Sequence, residues 1–300
     1  MLLSWIAAAT LAVPLADSTA RRIALAPAES LQVTIEGPAT GPAVVIVPGI
    51  VSPAYAFRRI LPPLAEAGMR VIVIEPLGMG KSSRPGNADY SLASQAQRVA
   101  AVLDTLAVSN AVVMGHAMGT AISLRLAVAR PELVRGLLLV EGGALESAAV
   151  PGVRKALKFA FFVRLFVGRG RIRKELRKGL IACSGDTSWV TEETIDNYTA
   201  GPAGDVGAVL RALKGMQRAV EPDSITPRLA SLGIPVHLLV GGAAHEGGIS
   251  TGRIRALEHR IHDFWMTTVI GAGLHIHEEQ PEVVVRGLLD LVREEHARAP

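Results

Sequence analysis

Five short runs of uninterrupted apolar residues, rich in valine, isoleucine and leucine, punctuate the chain: Ala43–Val47, Val71–Ile74, Ala111–Met114, Gly136–Val140 and Val236–Val240. A strand with one face in water alternates apolar and polar positions. A continuous run suits a strand buried on both faces, as in a parallel sheet covered by helices. Between the runs, Ser91–Leu106 and Met118–Ala129 carry apolar residues at helical spacing, and Pro131 stands where the second helix must stop. Thr267–Ile270 predicts a further strand, and Pro281–Ala297 a closing helix with proline in its first turn and acids just after it. The strand–helix alternation breaks after Glu141 and resumes near Ile234-Pro235. That interruption predicts a helical cap, or lid, over residues 142–225, inserted between core segments 22–141 and 226–300. No repeat of fixed period and no low-complexity tract is present, so a solenoid is not supported.

The chain has 300 residues, of which 49% are hydrophobic, enough for one large α/β domain with its own core or at most two modest domains. A net charge of +4 raises the question of nucleic acid, but aromatic residues make up only 4% and no nucleic-acid-binding module is visible. A basic response to an anionic membrane surface, or an anionic substrate, fits better. Cys183 is the one cysteine, which excludes an internal disulfide framework. No Cys/His pair at ligand spacing surrounds it, so neither a metal nor another cofactor is expected. Residues 1–21 hold an alanine- and leucine-rich run to Ala16, small residues to Ala20, and Arg21, without a basic residue before the apolar stretch. This segment reads as a signal peptide or as a membrane-resting anchor, since a spanning helix needs about 20 apolar residues. The protein is accordingly expected to be exported or membrane-associated, and otherwise cytoplasmic.

The chemistry centres on Gly115-His116-Ala117-Met118-Gly119. It has the spacing of a G-x-S-x-G nucleophile elbow, the sharp strand-to-helix turn that lifts one side chain above the carboxyl edge of a sheet. The central position carries a methyl group instead of a hydroxyl. Three further segments accompany it: Val47-Pro48-Gly49-Ile50, Glu75-Pro76-Leu77-Gly78-Met79-Gly80-Lys81-Ser82, and Gly271 to Glu282. In order and spacing these resemble the oxyanion turn, the D-x-x-G-x-G-x-S loop and the terminal G-x-G-H...E-x-P-E segment of the α/β-hydrolase superfamily. The chain is similar to serine hydrolases of that superfamily with haloalkane-dehalogenase-like features, over roughly residues 30–295. The resemblance implies an α/β-hydrolase fold: a mostly parallel central sheet with helices on both faces and a helical cap.

The resemblance also implies site residues. Ala117 takes the nucleophile position, and the backbone amides of Ile50 and Met118 take the place of the oxyanion hole, which needs no particular side chain. Aligned without a gap, the histidine of the G-x-G-H pattern falls on Leu274; by the G-L-H pattern of dehalogenase-like branches it is His275, which is the favoured base. His277 is expected at the surface or behind the site, and His116 as a packing residue. The acid is Glu141 ahead of Glu246, because Glu141 directly follows a strand at its carboxyl end, while His245 stands where the usual carboxylate would be. Gly80-Lys81-Ser82 resembles the tail of a phosphate-binding loop, but the full motif needs glycine at position 75, which is Glu75.

From Arg154 to Lys178 the lid interleaves cations with Phe159, Phe161, Phe162, Leu165 and Phe166. Such a stretch suits an interfacial helix meeting anionic headgroups, and equally an ordinary amphipathic lid with its cations in water. Three functions follow. The first is an ester-hydrolase-type scaffold for a small or lipid-like acyl substrate, its nucleophile absent at Ala117. The second is a ligand-binding pseudoenzyme, and the third a lyase or cofactor-free oxygenase using His275 as base without covalent catalysis.

Overall fold

A computed structural model describes residues 19–149, 169–201 and 205–298. Eight strands form one sheet in the order β1-β2-β4-β3-β5-β6-β7-β8. β1 (Thr19–Ala26) and β2 (Glu29–Glu36) pair antiparallel with each other, and β2 pairs antiparallel with β4 (Arg70–Glu75). All remaining pairings, through β3 (Ala43–Val47), β5 (Ala111–His116), β6 (Val134–Val140), β7 (Val236–Gly241) and β8 (Phe264–Val269), are parallel. The apolar runs are therefore strands covered on both faces. Val45, Ile72, Val113 and Leu137 point into one buried cluster, and their neighbours Val44, Val71, Val112 and Leu138 into the other.

The helices are α1 (Leu61–Glu66), α2 (Leu92–Thr105) and α3 (Met118–Ala129) in the first half. α2 starts where the sequence predicts, because the Ser91 hydroxyl accepts from the Ser94 amide at 3.1 Å. Between β6 and β7 lie α4 (Arg169–Ala182), α5 (Glu192–Ala200) and α6 (Val206–Arg218), and after β7 come α7 (Thr251–Arg260), α8 (Ile276–Glu279) and the closing helix α9 (Pro281–Arg298).

One boundary shifts. Strand β1 begins at Thr19, and Thr19 and Arg21 pair with Ile35 and Val33, so the last residues of the segment read as a signal peptide or anchor belong to the sheet. The backbone ladder recruits them although only Ile23 of that strand is buried. Residues 1–18 and the phenylalanine-rich part of the basic stretch lie outside the described residues. Among those described, no helix is long and apolar enough to cross a membrane.

The parallel register sets Val47 beside Gly115, His116 beside Val140, Val140 beside Leu239 and Gly241 beside Val269. The loops leaving β3, β5, β6, β7 and β8 thus emerge along the same carboxyl edge, where open α/β sheets hold their ligands.

Candidate active site

Ala117 sits between β5 and α3 with φ 49° and ψ −115°, a conformation that costs a non-glycine residue roughly 1–3 kcal/mol. The turn is held from three sides. The Ala117 amide donates to the Val140 carbonyl at 2.9 Å, and its own carbonyl accepts from the Thr120 amide at 3.2 Å and the Thr120 hydroxyl at 2.6 Å. The flanking glycines are sterically required: a Cβ on Gly115 would lie 2.5 Å from the Thr120 Cα, and one on Gly119 2.0 Å from the Val47 carbonyl oxygen. The strained turn therefore persists without a nucleophile to present. Its methyl is partly exposed, while His116 and Met118 on either side are buried.

Above the methyl lies a cavity of about 870 Å³, lined by Ile50, Ala117, Met118, Glu141 and His275 together. Leu145, Ala148, Leu176 and Leu180 give it apolar walls, two of them from α4. Its size and lining suit a small or elongated apolar ligand with a few polar anchors. The five site residues inferred from the sequence are thus brought to one chamber, although they lie on four different loops.

The acid and the histidines are connected differently from an acid–base pair. Glu141, also at positive φ (50°), is 2% exposed. Its Oε1 accepts from the Gly241 amide and its Oε2 from the Ile249 amide at 3.1 Å. The nearest imidazole to it is His245, whose Nε2 lies 3.6 Å from Oε1. The Nδ1 of His245 faces the Ala243 carbonyl at 2.8 Å, so Nδ1 carries a hydrogen. Glu246 is exposed and reaches none of these groups through its carboxylate among the described contacts.

His275 turns the other way. Its ring packs 5.1 Å from Trp189 and 5.5 Å from His116, and its Nδ1 has no partner among the described residues. Leu274 faces the Glu141 end instead: its Cδ2 lies 3.6 Å from the Cβ position of Gly247, and the next glycine's Cβ position is 3.2 Å from Glu141 Oε2. Consecutive residues on this loop point to opposite sides, so the gap-free and the shifted alignments place a base in two different places.

His277, expected at the surface or behind the site, is fully buried. It stacks on Phe57 at 4.7 Å and meets His116 edge-on at 4.5 Å. His116, His275 and His277 form a trio in which one ring nitrogen from each lies within 4.8 Å of the others. Burial, reinforced by the neighbouring imidazoles, pushes His275 and His277 well below the ordinary histidine value, and burial alone takes His116 to about 4. All three are neutral at pH 7.

A family model described as the α/β-hydrolase fold matches residues 42–178, the stretch holding the β3 turn and the elbow. An uncharacterized hydrolase, YugF of Bacillus subtilis (strain 168), is 25% identical over 253 residues, covering 83% of this chain and 89% of its own. The chain has the α/β-hydrolase fold and is similar in sequence to hydrolases built on it. Among solved structures of this fold, Cfl2 from Burkholderia cenocepacia superposes with a TM-score of 0.74 at 24% identity, covering 90% of this chain and 94% of its own. A membrane phospholipase A, described as a bacterial virulence factor, superposes with a TM-score of 0.73 at 17% identity, covering 92% of this chain and 86% of its own.

Two features of this hydrolase-fold site carry no local sequence signal. Ser52, in the loop after β3, lines the cavity and stands 3.1 Å from His116 Nδ1. Glu75, at the end of β4, is buried and braces two loops by accepting from the Ala54 amide at 2.8 Å and the Lys81 amide at 2.6 Å. Desolvation raises its pKa above the ordinary carboxylate value. In the first case the signal is a contact between residues 64 apart. In the second, the glutamate replaces the aspartate of the loop motif that it resembles, and its bracing role appears only once the loops are folded.

Proposed function

We propose that this chain is a hydrolase-fold protein of the ester-hydrolase type whose cavity receives a small or lipid-like acyl substrate. The acyl carbonyl lies against the Ile50 and Met118 amides, and position 117 supplies no attacking atom. One observation carries the reading: the elbow retains its costly backbone conformation beneath an 870 Å³ apolar chamber, with both amide-bearing residues on its wall. Backbone amides aimed at one point hold a carbonyl oxygen or oxyanion whatever the neighbouring side chain is. The helices after β6 serve as the cap, and their leucines supply the acyl contacts. A phospholipase built on a similar fold supports the lipid-like class.

A second reading, a ligand-binding pseudoenzyme, draws on the wiring of Glu141. That carboxylate accepts from two amides and lies 3.6 Å from His245, while the Nδ1 of His275 has no partner among the described residues, so among them no acid orients His275 toward Ala117. Binding and turnover separate the two readings. Long-chain acyl esters are expected to displace a fluorescent fatty acid saturably from the native chain and from its Ala117→Ser variant alike. The serine variant should in addition hydrolyse those esters faster than the native chain. Binding without any gain in the serine variant favours the pseudoenzyme, and absence of saturable displacement removes the acyl-pocket reading altogether.

A further inference from the structure

The methyl at position 117 leaves open what, if anything, can attack a carbonyl held in the cavity. The strained elbow is kept, and so are the amides beside it. A second hydroxyl stands nearby. Ser52 follows Ile50 by two residues, lines the same cavity, and its Oγ lies 3.1 Å from Nδ1 of His116. The opposite ring nitrogen, Nε2, lies 3.1 Å from the Leu274 carbonyl oxygen.

Those two contacts settle the tautomer. A backbone carbonyl only accepts, so Nε2 carries the ring hydrogen and donates it to Leu274. Nδ1 of the neutral ring is then a bare lone pair, and the hydroxyl of Ser52 donates to it. Serine donating to imidazole, with the far N–H of that imidazole anchored to an acceptor, is the arrangement that activates a hydroxyl, here with a carbonyl in the third role instead of a carboxylate. The Gly49 backbone joins this pair to the elbow: its Cβ position lies 3.2 Å from the Ala117 methyl and 3.5 Å from His116 Nδ1. Burial keeps His116 unprotonated at neutral pH, free to accept a proton.

Resting on the acyl-pocket reading above, we propose that Ser52 is the nucleophile of this chain and His116 its base, replacing the vacated position 117. Ser52 Oγ bonds to the acyl carbon while its proton passes to His116 Nδ1, and the carbonyl electron pair moves onto the oxygen held by the Ile50 and Met118 amides. The intermediate collapses by breaking the bond to the leaving alkoxide, which takes the proton from Nδ1. Water then attacks the acyl-Ser52 ester, giving its proton to Nδ1. Cleavage returns that proton to Ser52, so ester and water become acid and alcohol with nothing left over. Leu274 stabilises the transient imidazolium only through a neutral carbonyl, so turnover is slow compared with a triad that has a carboxylate.

The test is covalent labelling of the intact chain with a fluorophosphonate, in which Ser52 Oγ bonds to phosphorus as fluoride leaves, followed by peptide mapping. The modification is expected on Ser52 and absent from Ser52→Ala. His116→Gln keeps an acceptor and a donor in the ring's place without its basicity, and should slow labelling by about 10²–10⁴-fold, the usual contribution of general-base assistance. Thermal unfolding and fatty-acid displacement by each variant separate lost chemistry from lost fold. A native chain that binds the ester yet leaves Ser52 unmodified overturns the proposal while leaving the acyl pocket standing. Unchanged labelling in His116→Gln overturns it as well. Labelling of Ser52 in a chain that binds no acyl ligand sinks the pocket reading alone.

Discussion

At the scale of single residues, the terminal loop poses the sharpest question, because Leu274 and His275 face opposite ways. Leu274 points toward the side of the cavity where Glu141 and His245 lie, and His275 toward Trp189 and His116. A histidine at 274 would project toward the acid side of the cavity. Ala117→Ser and Leu274→His are therefore expected to act as a unit. In kcat/KM for an acyl ester, the double variant should exceed the product of the single effects by at least about tenfold, the size of coupling usual for residues in contact. Single effects that merely multiply would show that position 274 is no base position. The elbow glycines, the methyl at 117 and the candidate amides were legible in the sequence, since backbone geometry demands those residue types at that spacing. The Ser52–His116 pair was not, because nothing local links a loop serine to an imidazole 64 residues away.

At the scale of elements, the helices that follow β6 are tied to the core by one buried cation. Arg125 on α3 is 4% exposed, and its Nη1 meets Asp223 Oδ1 at 2.9 Å. Its Nε lies 3.4 Å from Glu221 Oε2, and its Nη2 3.8 Å from Glu146 Oε2. Glu221 also receives the first amides of α2, from Leu92 at 2.7 Å and Ala93 at 3.1 Å. The start and the end of the insertion therefore meet at the same guanidinium, beside the start of α2. Removing it leaves Glu221, itself 5% exposed, buried without its cation. Arg125→Ala should cost roughly 3–5 kcal/mol by chemical denaturation, the range for breaking a buried pair from one side. A loss under about 1 kcal/mol, the value of an exposed pair, would mean the cluster is solvated. On α4, Arg173 and Arg177 both pair with Glu192, so those two cations of the basic stretch are engaged within the fold.

Elements also differ in how legible they were. The central strands announce themselves because both faces are buried, and apolarity is then continuous. β1 and β2 pass unannounced: β1 buries only Ile23, and β2 buries Leu31, Gln32 and Val33. Their place is decided by backbone pairing to β4, a long-range bond that no local pattern encodes.

At the scale of the whole molecule, buried neutral histidines couple stability to pH. His116 and His237 have folded values of about 4 against an ordinary 6.5, through desolvation, and His275 and His277 lie well below 6.5. Between 6.5 and about 4 the unfolded chain binds more protons than the folded one, so unfolding free energy falls as pH falls through that window. Glu75 and Glu278, raised by burial, work in the opposite sense. Urea unfolding is expected to give a free energy lower by at least about 2 kcal/mol at pH 5 than at pH 7. Equal values at the two pH values would mean that these imidazoles are charged, or hydrated, in the native state.

The sequence alone determined the doubly covered parallel sheet, the position of the elbow and its missing hydroxyl, because apolar periodicity and glycine sterics act over a few neighbouring residues. Only the tertiary structure decided which groups meet. Glu141 lies beside His245, His275 joins a buried trio, and Ser52 comes within hydrogen-bond range of His116 because the register of β3 against β5 and the turns of four loops bring distant side chains together. Such contacts depend on three-dimensional closure, which a one-dimensional pattern does not contain.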